Sequence, residues 1–294
     1  MFDKNHSGVE SLDRPPICAF CGDKKLINYE CRLPDSNERI IPIFSCGNCG
    51  ALLPVYNEKI ISHQSTKLQT DFHDKLFGND SLTDMAGARD DMIDMLNKQE
   101  TFLASAKKNN EIVCDIGAGR GNLTSALMLK GYNVYACEPS GYLYNKAIKS
   151  YNLTSKVLKN ADAFEFCDWM EESSIKPSVI YLWHILEHVP NSISLLNRLK
   201  QITSDMVTYF IQMPLLCSPY LYKEHYFLAT FDWIYYLESV LDCKLIYISH
   251  SRNTKYVTAY YSNDKNIPGV DVKRPFRSLT QFERQFILYE NWLN

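Results

Sequence analysis

From residue 111 onwards, short apolar runs alternate with stretches whose apolar residues recur every three or four positions. The runs are rich in β-branched or aromatic residues and are bounded by polar residues or glycine, as buried strands are. Strands are predicted at 111–116, 133–137, 178–182, 205–211, 244–249 and 256–261. Helical spacing at 123–130 and 231–241 separates some of them. This alternation predicts an α/β fold.

Helical spacing of apolar residues also marks the segment that precedes this region. Between residues 57 and 110 we expect one or two helices that lead into the α/β domain. Aromatic residues near the end of the chain predict a packed terminal helix. The chain therefore divides into a cysteine-rich module (1–56), a helical linker (57–110), an α/β domain (111–262) and a helical extension (263–294).

The composition is that of an ordinary globular protein. Hydrophobic residues make up 46% and charged residues 22% of the 294 residues, which excludes a disordered chain. The apolar runs are far shorter than the roughly 20 residues that a membrane-spanning helix needs. No apolar signal core follows Met1, so we expect a cytoplasmic protein. The net charge of −3, without a long basic run, argues against a nucleic-acid partner.

Five of the ten cysteines lie within the first fifty residues. Cys18 and Cys21 form one C-x-x-C-G knuckle, and Cys46 and Cys49 form a second. Two such turns supply the four-thiolate shell that Zn²⁺ prefers, so we predict a structural zinc ribbon. An iron site with the same ligands and a pair of disulfides are the alternatives. Cys31 lies outside the knuckles, and we interpret it as structural.

A glycine-rich turn follows the first strand of the α/β domain. Residues 117–121 read G-x-G-x-G, and Asp115 precedes them. Glu138 ends the next strand, 21 residues after the first of these glycines. In a Rossmann-like unit, an acid at this place reaches the ribose hydroxyls of a nucleotide. A nicotinamide enzyme is the alternative, but its fingerprint requires glycine or alanine where this chain has Asn122.

The loop and its preceding aspartate resemble the first motif of the class I methyltransferases that use S-adenosylmethionine (SAM). The resemblance implies a Rossmann-like sheet of seven strands, the last antiparallel, and SAM as the cofactor. Asp115 and the glycines would flank the methionine end, Glu138 would hold both ribose hydroxyls, and Asp162 with Ala163 would contact the adenine. The cofactor-binding residues that it implies are Asp115, Gly117, Ala118, Gly119, Gly121, Glu138, Pro139, Asp162, Ala163 and Trp183.

A histidine motif follows the strand at 178–182. Residues 184–188 read H-I-L-E-H, which matches the H-x-x-E-H motif of the inverted zinc peptidases. Those enzymes need both histidines on one continuous helix, whereas here a strand ends just before His184 and Pro190 soon follows. The stretch instead resembles the H-x-L-E-H-V-P of small-molecule methyltransferases that include ubiquinone- and sugar-modifying enzymes. His184 would then lie at a ligand-binding strand end, and His188 is either an orienting partner or a structural residue.

The acceptor side is predicted after the fifth strand. Residues 224–228 resemble a segment of the same family, including sugar C-methyltransferases, in which Tyr, Glu and His act around the acid–base step. The matching residues are Tyr222, Glu224 and His225. Because histidine can titrate near working pH, we expect His225, supported by Glu224, or else His184 to be the general base. A hydrogen-bonded loop histidine is the alternative for His225.

These observations lead to one main hypothesis about function. We expect a SAM-dependent methyltransferase that acts on a small molecule, most of all on a hydroxyl of a nucleotide sugar or surface glycan. An RNA methyltransferase that docks its substrate on the ribbon and a sugar C-methyltransferase are the alternatives. The missing C-terminal domain of the larger sugar C-methyltransferases argues against carbon methylation. A non-enzymatic scaffold is disfavoured by the intact glycine loop. The oligomeric state is not predicted.

Overall fold

A computed structural model describes the protein over residues 17–34, 40–54, 84–214, 225–250 and 256–267. The strands in these ranges form two sheets, a small one of three strands and a large one of seven. Among the described helices, none is long and apolar enough to cross a membrane.

The small sheet is an antiparallel ribbon near the start of the chain. Its strands are β1 (Leu26–Pro34), β2 (Ile40–Cys46) and β3 (Leu52–Pro54). Leu26 pairs with Cys46, so the start of β1 lies beside the end of β2. The first cysteine knuckle precedes β1 and the second follows β2. The hairpin therefore brings the two knuckles together at one end.

The large sheet has seven strands: β4 (Ile112–Ile116), β5 (Asn133–Cys137), β6 (Leu158–Lys159), β7 (Pro177–Trp183), β8 (Thr208–Pro214), β9 (Lys244–His250) and β10 (Tyr256–Ser262). Their order is β6-β5-β4-β7-β8-β10-β9, and β10 runs antiparallel to its neighbours β8 and β9. This confirms the predicted Rossmann-like sheet. Since β4 lies between β5 and β7, the strand order reverses there, and open α/β sheets bind ligands at that point.

Helices cover both faces of the large sheet. In the described chain they are α1 (Asp84–Lys98), α2 (Glu100–Lys108), α3 (Asn122–Leu129), α4 (Gly141–Tyr151), α5 (Ala163–Glu172), α6 (Ser192–Ile202) and α7 (Phe231–Leu241). The first two confirm the helices expected before the α/β domain. The terminal helix predicted after residue 263 lies outside the described residues.

Alternate residues of β7 enter two different cores, as the two-residue period of a strand requires. Val179 and Tyr181 pack with residues of α1, α2 and α3. Ile180 and Leu182 point to the other face, where they join residues of α5, α6 and α7. Phe20 of the ribbon belongs to this second core and is fully buried. The ribbon is therefore packed into the same core as one face of the sheet.

One strand is shifted by three residues from the prediction. The fifth strand was expected at 205–211, but β8 spans Thr208–Pro214. The residues before it form a turn in which the Ser204 hydroxyl donates to the carbonyl of Met206 at 2.6 Å. The Val207 amide donates to the side chain of Asn263. Local polar bonding therefore holds these residues out of the sheet.

Candidate functional site

A cavity of about 450 Å³ opens at the carboxyl ends of β4, β5 and β7. It lies at the reversal of strand order, as expected for this fold. Eight of the predicted cofactor or catalytic residues line it: Gly117, Gly119, Glu138, Pro139, Asp162, Ala163, Trp183 and His184.

The glycine loop approaches its neighbours closely. Gly117, Gly119 and Gly121 all have positive φ, at 74°, 55° and 78°. A Cβ on Gly117 would lie 1.9 Å from the Cδ1 of Ile185, so a side chain has no room there. A Cβ on Gly119 would meet no atom within 4 Å. At Gly119 the backbone therefore faces open space, which a ligand can approach.

Glu138 is a buried acid at the wall of the cavity. Its Oε2 accepts a hydrogen bond from the Gly119 amide, and its Oε1 accepts one from the Ser140 amide, both at 2.8 Å. The amide group of Asn160 donates to the Glu138 carbonyl. The bonds from the Gly119 and Ser140 amides hold the carboxylate between the glycine loop and the start of α4.

Three predicted cofactor residues shape the loop without lining the cavity. Asp115 is 3% exposed, and its Oδ2 accepts a 2.6 Å hydrogen bond from the Thr124 hydroxyl. Burial raises the pKa of this carboxyl to about 6, against the opposing effect of the bond from Thr124. The Ala118 amide donates to the Cys137 carbonyl, and Gly121 caps the start of α3.

The cavity also contains residues that the sequence reasoning missed. Phe164 and Leu143 lie in the first turns of α5 and α4, directly after strand ends. A search of each first helical turn after a strand could have found them. Ile185 and Val189 flank the histidine motif and add apolar wall. Asp162, for which an adenine contact is predicted, caps α5, since its Oδ1 accepts from two backbone amides.

His184 follows β7 directly and has a strained backbone, with φ of 54°. Its Nδ1 lies 3.2 Å from the Oε1 of Glu187, and its Nε2 lies 3.0 Å from the Oε1 of Gln212. The ring also packs edge-on against Tyr256. Both ring nitrogens are therefore engaged by other side chains, although the residue lines the cavity.

His225 lies near His188, the second histidine of the motif. Its ring lies against that of His188, with centroids 4.7 Å apart, and His188 lines the cavity. His225 is 7% exposed. Glu187 lies beside both of them and is fully buried. The other two predicted catalytic residues, Tyr222 and Glu224, lie outside the described residues.

The four knuckle cysteines form a cluster, with all four sulfur atoms within 4.8 Å of one another. The sulfurs of Cys18 and Cys49 are 3.7 Å apart, and those of Cys21 and Cys46 are 3.6 Å apart. A disulfide needs about 2.05 Å, so these are free thiols. A zinc tetrahedron with bonds of about 2.3 Å has edges of about 3.8 Å. The two measured separations therefore match the edges of such a tetrahedron.

The cysteine cluster is joined to the catalytic domain by aromatic packing and backbone bonds. The Phe20 ring lies 5.0 Å from that of Phe227 and 5.3 Å from that of Trp233. Leu52 and Leu228 exchange two backbone hydrogen bonds, of 3.1 and 2.8 Å. The ribbon therefore supports the segment that begins with His225.

The strand order of the large sheet, the glycine loop at 117–121 and the buried Glu138 together define a class I SAM-dependent methyltransferase. A family model described as "Methyltransferase domain" matches residues 89–251, more than half of the chain. The chain belongs to this family and is a SAM-dependent methyltransferase. Among curated proteins, none matches the sequence significantly.

Several solved structures are similar in fold. Magnesium protoporphyrin IX methyltransferase from Synechocystis PCC 6803 is 14% identical, with a TM-score of 0.46 over 69% of this chain and 98% of that one. The plantazolicin methyltransferase BpumL is also 14% identical, with a TM-score of 0.46 over 67% of this chain and 95% of its own. A SAM-dependent methyltransferase from Archaeoglobus fulgidus is 13% identical, with a TM-score of 0.45 over 58% and 94%. Likenesses this distant say nothing about the acceptor.

Proposed function

We propose that this enzyme methylates a hydroxyl group of a nucleotide sugar or surface glycan. The main support for this proposal is the group of histidines beside the cavity, because a hydroxyl acceptor must lose a proton as it is methylated. His184 and His188 line the cavity, and His225 packs on His188. The resemblance of residues 224–228 to sugar-modifying methyltransferases supports the sugar as acceptor.

For the cofactor, we propose a placement along the wall from Asp162 to the glycine loop. Glu138 has the position and charge to accept hydrogen bonds from the ribose hydroxyls. Asp162 uses Oδ1 for the helix cap, which leaves its other oxygen for the adenine amino group. Ala163 and Phe164 give that end an apolar surface, and Pro139 and Trp183 complete the wall.

For Asp115, we propose a supporting role at the methionine end. Its bond to Thr124 connects β4 to α3 beneath the glycine loop. With Ala118 and Gly121, it would hold the loop in the conformation that exposes Gly119.

For the proton step, we propose His225 as the base. SAM supplies a methyl group on a sulfonium, which is already activated for displacement. The acceptor oxygen forms a bond to the methyl carbon as the carbon–sulfur bond breaks, and the hydroxyl proton moves to His225. Both ring nitrogens of His184 are engaged, so this residue is better suited to positioning Glu187. Tyr222 and Glu224 remain proposed assistants of the base.

We also infer that the four-cysteine cluster binds structural Zn²⁺. The sulfur separations match a zinc tetrahedron, and a closed shell of four thiolates leaves no position for catalysis. The ion would stabilise the ribbon, which in turn supports the His225 segment.

The test is release of S-adenosylhomocysteine from SAM, with nucleotide sugars, glycan acceptors and bulk RNA assayed in parallel. We expect the parent to turn over sugars. We expect His225→Ala to lose this turnover while it binds SAM normally. Mapping the new methyl group by NMR separates oxygen from carbon methylation. Turnover on RNA alone would overturn the sugar proposal, and full turnover by His225→Ala would overturn the assignment of His225 as the base.

A further inference from the structure

Three side chains beside the cofactor cavity have the chemistry of metal ligands. Glu187, His188 and His225 each offer one ligand atom, and these atoms lie within 4.8 Å of one another. We propose that they bind a divalent transition-metal cation, at a site separate from the four-cysteine cluster.

The fold brings the three residues together by two local features. Glu187 and His188 share a single 3₁₀ turn, Leu186–His188, that follows β7. The Tyr226 amide donates to the Glu187 carbonyl at 2.8 Å, which fixes the neighbouring His225 beside that turn. The two imidazole rings then meet edge to face.

The carboxylate of Glu187 is the observation that points to a cation. Its side chain is 0% exposed. Oε1 is held by the His184 ring, whereas Oε2 accepts no hydrogen bond from the described residues. An uncompensated buried carboxylate is costly. A cation between Oε2 and the two imidazoles would remove that cost.

The donor set also limits which cation fits. Imidazole and carboxylate together suit zinc, manganese, iron or cobalt better than the all-oxygen sites of calcium. Ligand atoms about 2.1 Å from a shared ion lie at most about 4.2 Å apart. The ligand atoms of the three residues lie within 4.8 Å of one another, close to this span.

The position of this site gives the cation a role in the reaction. Three protein ligands leave coordination positions open, and His188 lines the cavity. If the acceptor is a hydroxyl, as the proposed function holds, its oxygen can bind the cation. The cation then lowers the pKa of the hydroxyl group. His225 then serves as a ligand, and the proton leaves to solvent. With the metal bound, the cation thus takes over the role that the proposed function gives to His225 as the base.

The experiment is a Mn²⁺ titration of the full chain loaded with one equivalent of Zn²⁺, which the four thiolates take up, followed by the EPR signal of free Mn²⁺. Manganese is chosen because it does not compete well for four thiolates. One bound Mn²⁺ per chain is expected. Glu187→Gln, which keeps the side-chain shape, should weaken its binding at least about tenfold, since a charged ligand is lost. The exposed Glu172→Gln is the matched control and should bind Mn²⁺ as the parent does.

His188→Ala provides a second variant, at a partly exposed position, in case Glu187→Gln does not fold. SAM binding by calorimetry shows which variants retain the cofactor cavity. Unchanged Mn²⁺ binding in both folded variants, or none in the parent, would overturn the site. Sugar turnover that needs no metal, in a chain that binds no Mn²⁺, would overturn this site alone. Bound Mn²⁺ without turnover on any acceptor would count against the proposed function and leave the site standing.

Discussion

The four-cysteine cluster and the cofactor cavity both join distant parts of the chain, but they are built from different groups. In the cluster, four side chains from two copies of one short turn converge, with sulfurs 3.6 and 3.7 Å apart in two pairs. In the cavity, backbone groups of the glycine loop and one buried acid form the wall. The first geometry has the spacing to close around one ion, whereas the second leaves a space of about 450 Å³. Closed shells stabilise structure, and open walls bind substrates.

The two regions are also mechanically connected. Phe20 of the ribbon packs on Phe227 and Trp233, and the Thr230 hydroxyl donates to the Gly50 carbonyl at 2.9 Å. On the side of the catalytic domain, all of these contacts lie in the segment that begins with His225. If the proposed function holds, the cluster therefore influences the acceptor side of the cavity, while the glycine loop and Glu138 control the cofactor side. Variants in each region should separate these two effects.

The largest effect is expected from loss of the cluster metal. Structural zinc contributes about 10 kcal/mol or more to folding of such modules, so Cys46→Ser or chelation should unfold the ribbon. Turnover should then fall by at least about tenfold, while SAM affinity changes by less than about threefold, because the cofactor wall lies elsewhere. Zinc content, near-ultraviolet circular dichroism and SAM calorimetry measure the three quantities. Cys243→Ser, at an isolated buried cysteine, is the control; an unaltered spectrum after chelation would contradict the role of the metal.

The next effect concerns the pH dependence of stability. Burial raises the pKa of Asp115 to about 6 in the folded protein, above the value of about 3.9 for a solvated aspartate. The folded state holds this proton more tightly, so the carboxyl's contribution is fully present below pH 4 and is lost as pH rises through 6. Relative to the parent, Asp115→Asn should therefore gain about 2 kcal/mol of unfolding free energy between pH 4 and 7.

Urea denaturation of parent and variant at several pH values measures this difference, and the comparison cancels groups that both share. Asp205→Asn, at an exposed position, should show no such trend. A constant difference between Asp115→Asn and the parent across this range would contradict the buried, proton-binding carboxyl.

Local spacing explains what could be predicted from the sequence. The C-x-x-C-G turns, the glycine loop and Glu138 each carry their chemistry within a few residues, and the strand order agreed with the expected family fold. Docking of Phe20 on Trp233 joins residues more than 200 positions apart, and such contacts leave no periodic signal. The approach of His225 to Glu187 also joins separate elements of the chain. For Asp115, the place at the methionine end stays a prediction. Its bond to the Thr124 hydroxyl was not predicted, because it depends on the packing of β4 against α3.

A smaller effect is expected on cofactor affinity from Glu138→Gln. The two carboxylate oxygens each accept one backbone amide, and glutamine has one acceptor for two donors. One amide would face an NH₂ group, and the charge on the ribose site would be lost. A charged hydrogen bond is worth about 1.5–3 kcal/mol, so SAM should bind about 10- to 100-fold more weakly by calorimetry. Glu172→Gln should bind SAM normally. Equal affinities for Glu138→Gln and the parent would remove Glu138 from the ribose site.

The smallest effect separates backbone strain from cavity shape, using two glycines with similar φ. Gly117 and Gly131 have φ of 74° and 81°, so alanine at either should cost about 1–2 kcal/mol of stability. Their surroundings differ, because a Cβ on Gly131 meets nothing within 4 Å, whereas one on Gly117 overlaps Ile185. Ile185 lines the cavity and must move to make room. Gly117→Ala should therefore weaken SAM binding by about tenfold, roughly 1.4 kcal/mol, and Gly131→Ala should leave it unchanged.

The closer of the two overlaps with Ile185 can be relieved without touching the loop, while the one with Cγ1 at 2.8 Å stays. Replacing Ile185 by Val removes the Cδ1 atom that lies 1.9 Å from the added methyl group. The double variant Gly117→Ala with Ile185→Val should recover part of the SAM affinity, while its urea midpoint stays as low as that of Gly117→Ala, because the φ strain persists. If the double variant bound SAM no better than Gly117→Ala, the strained loop conformation itself would control cofactor binding, and Ile185 would only fill space.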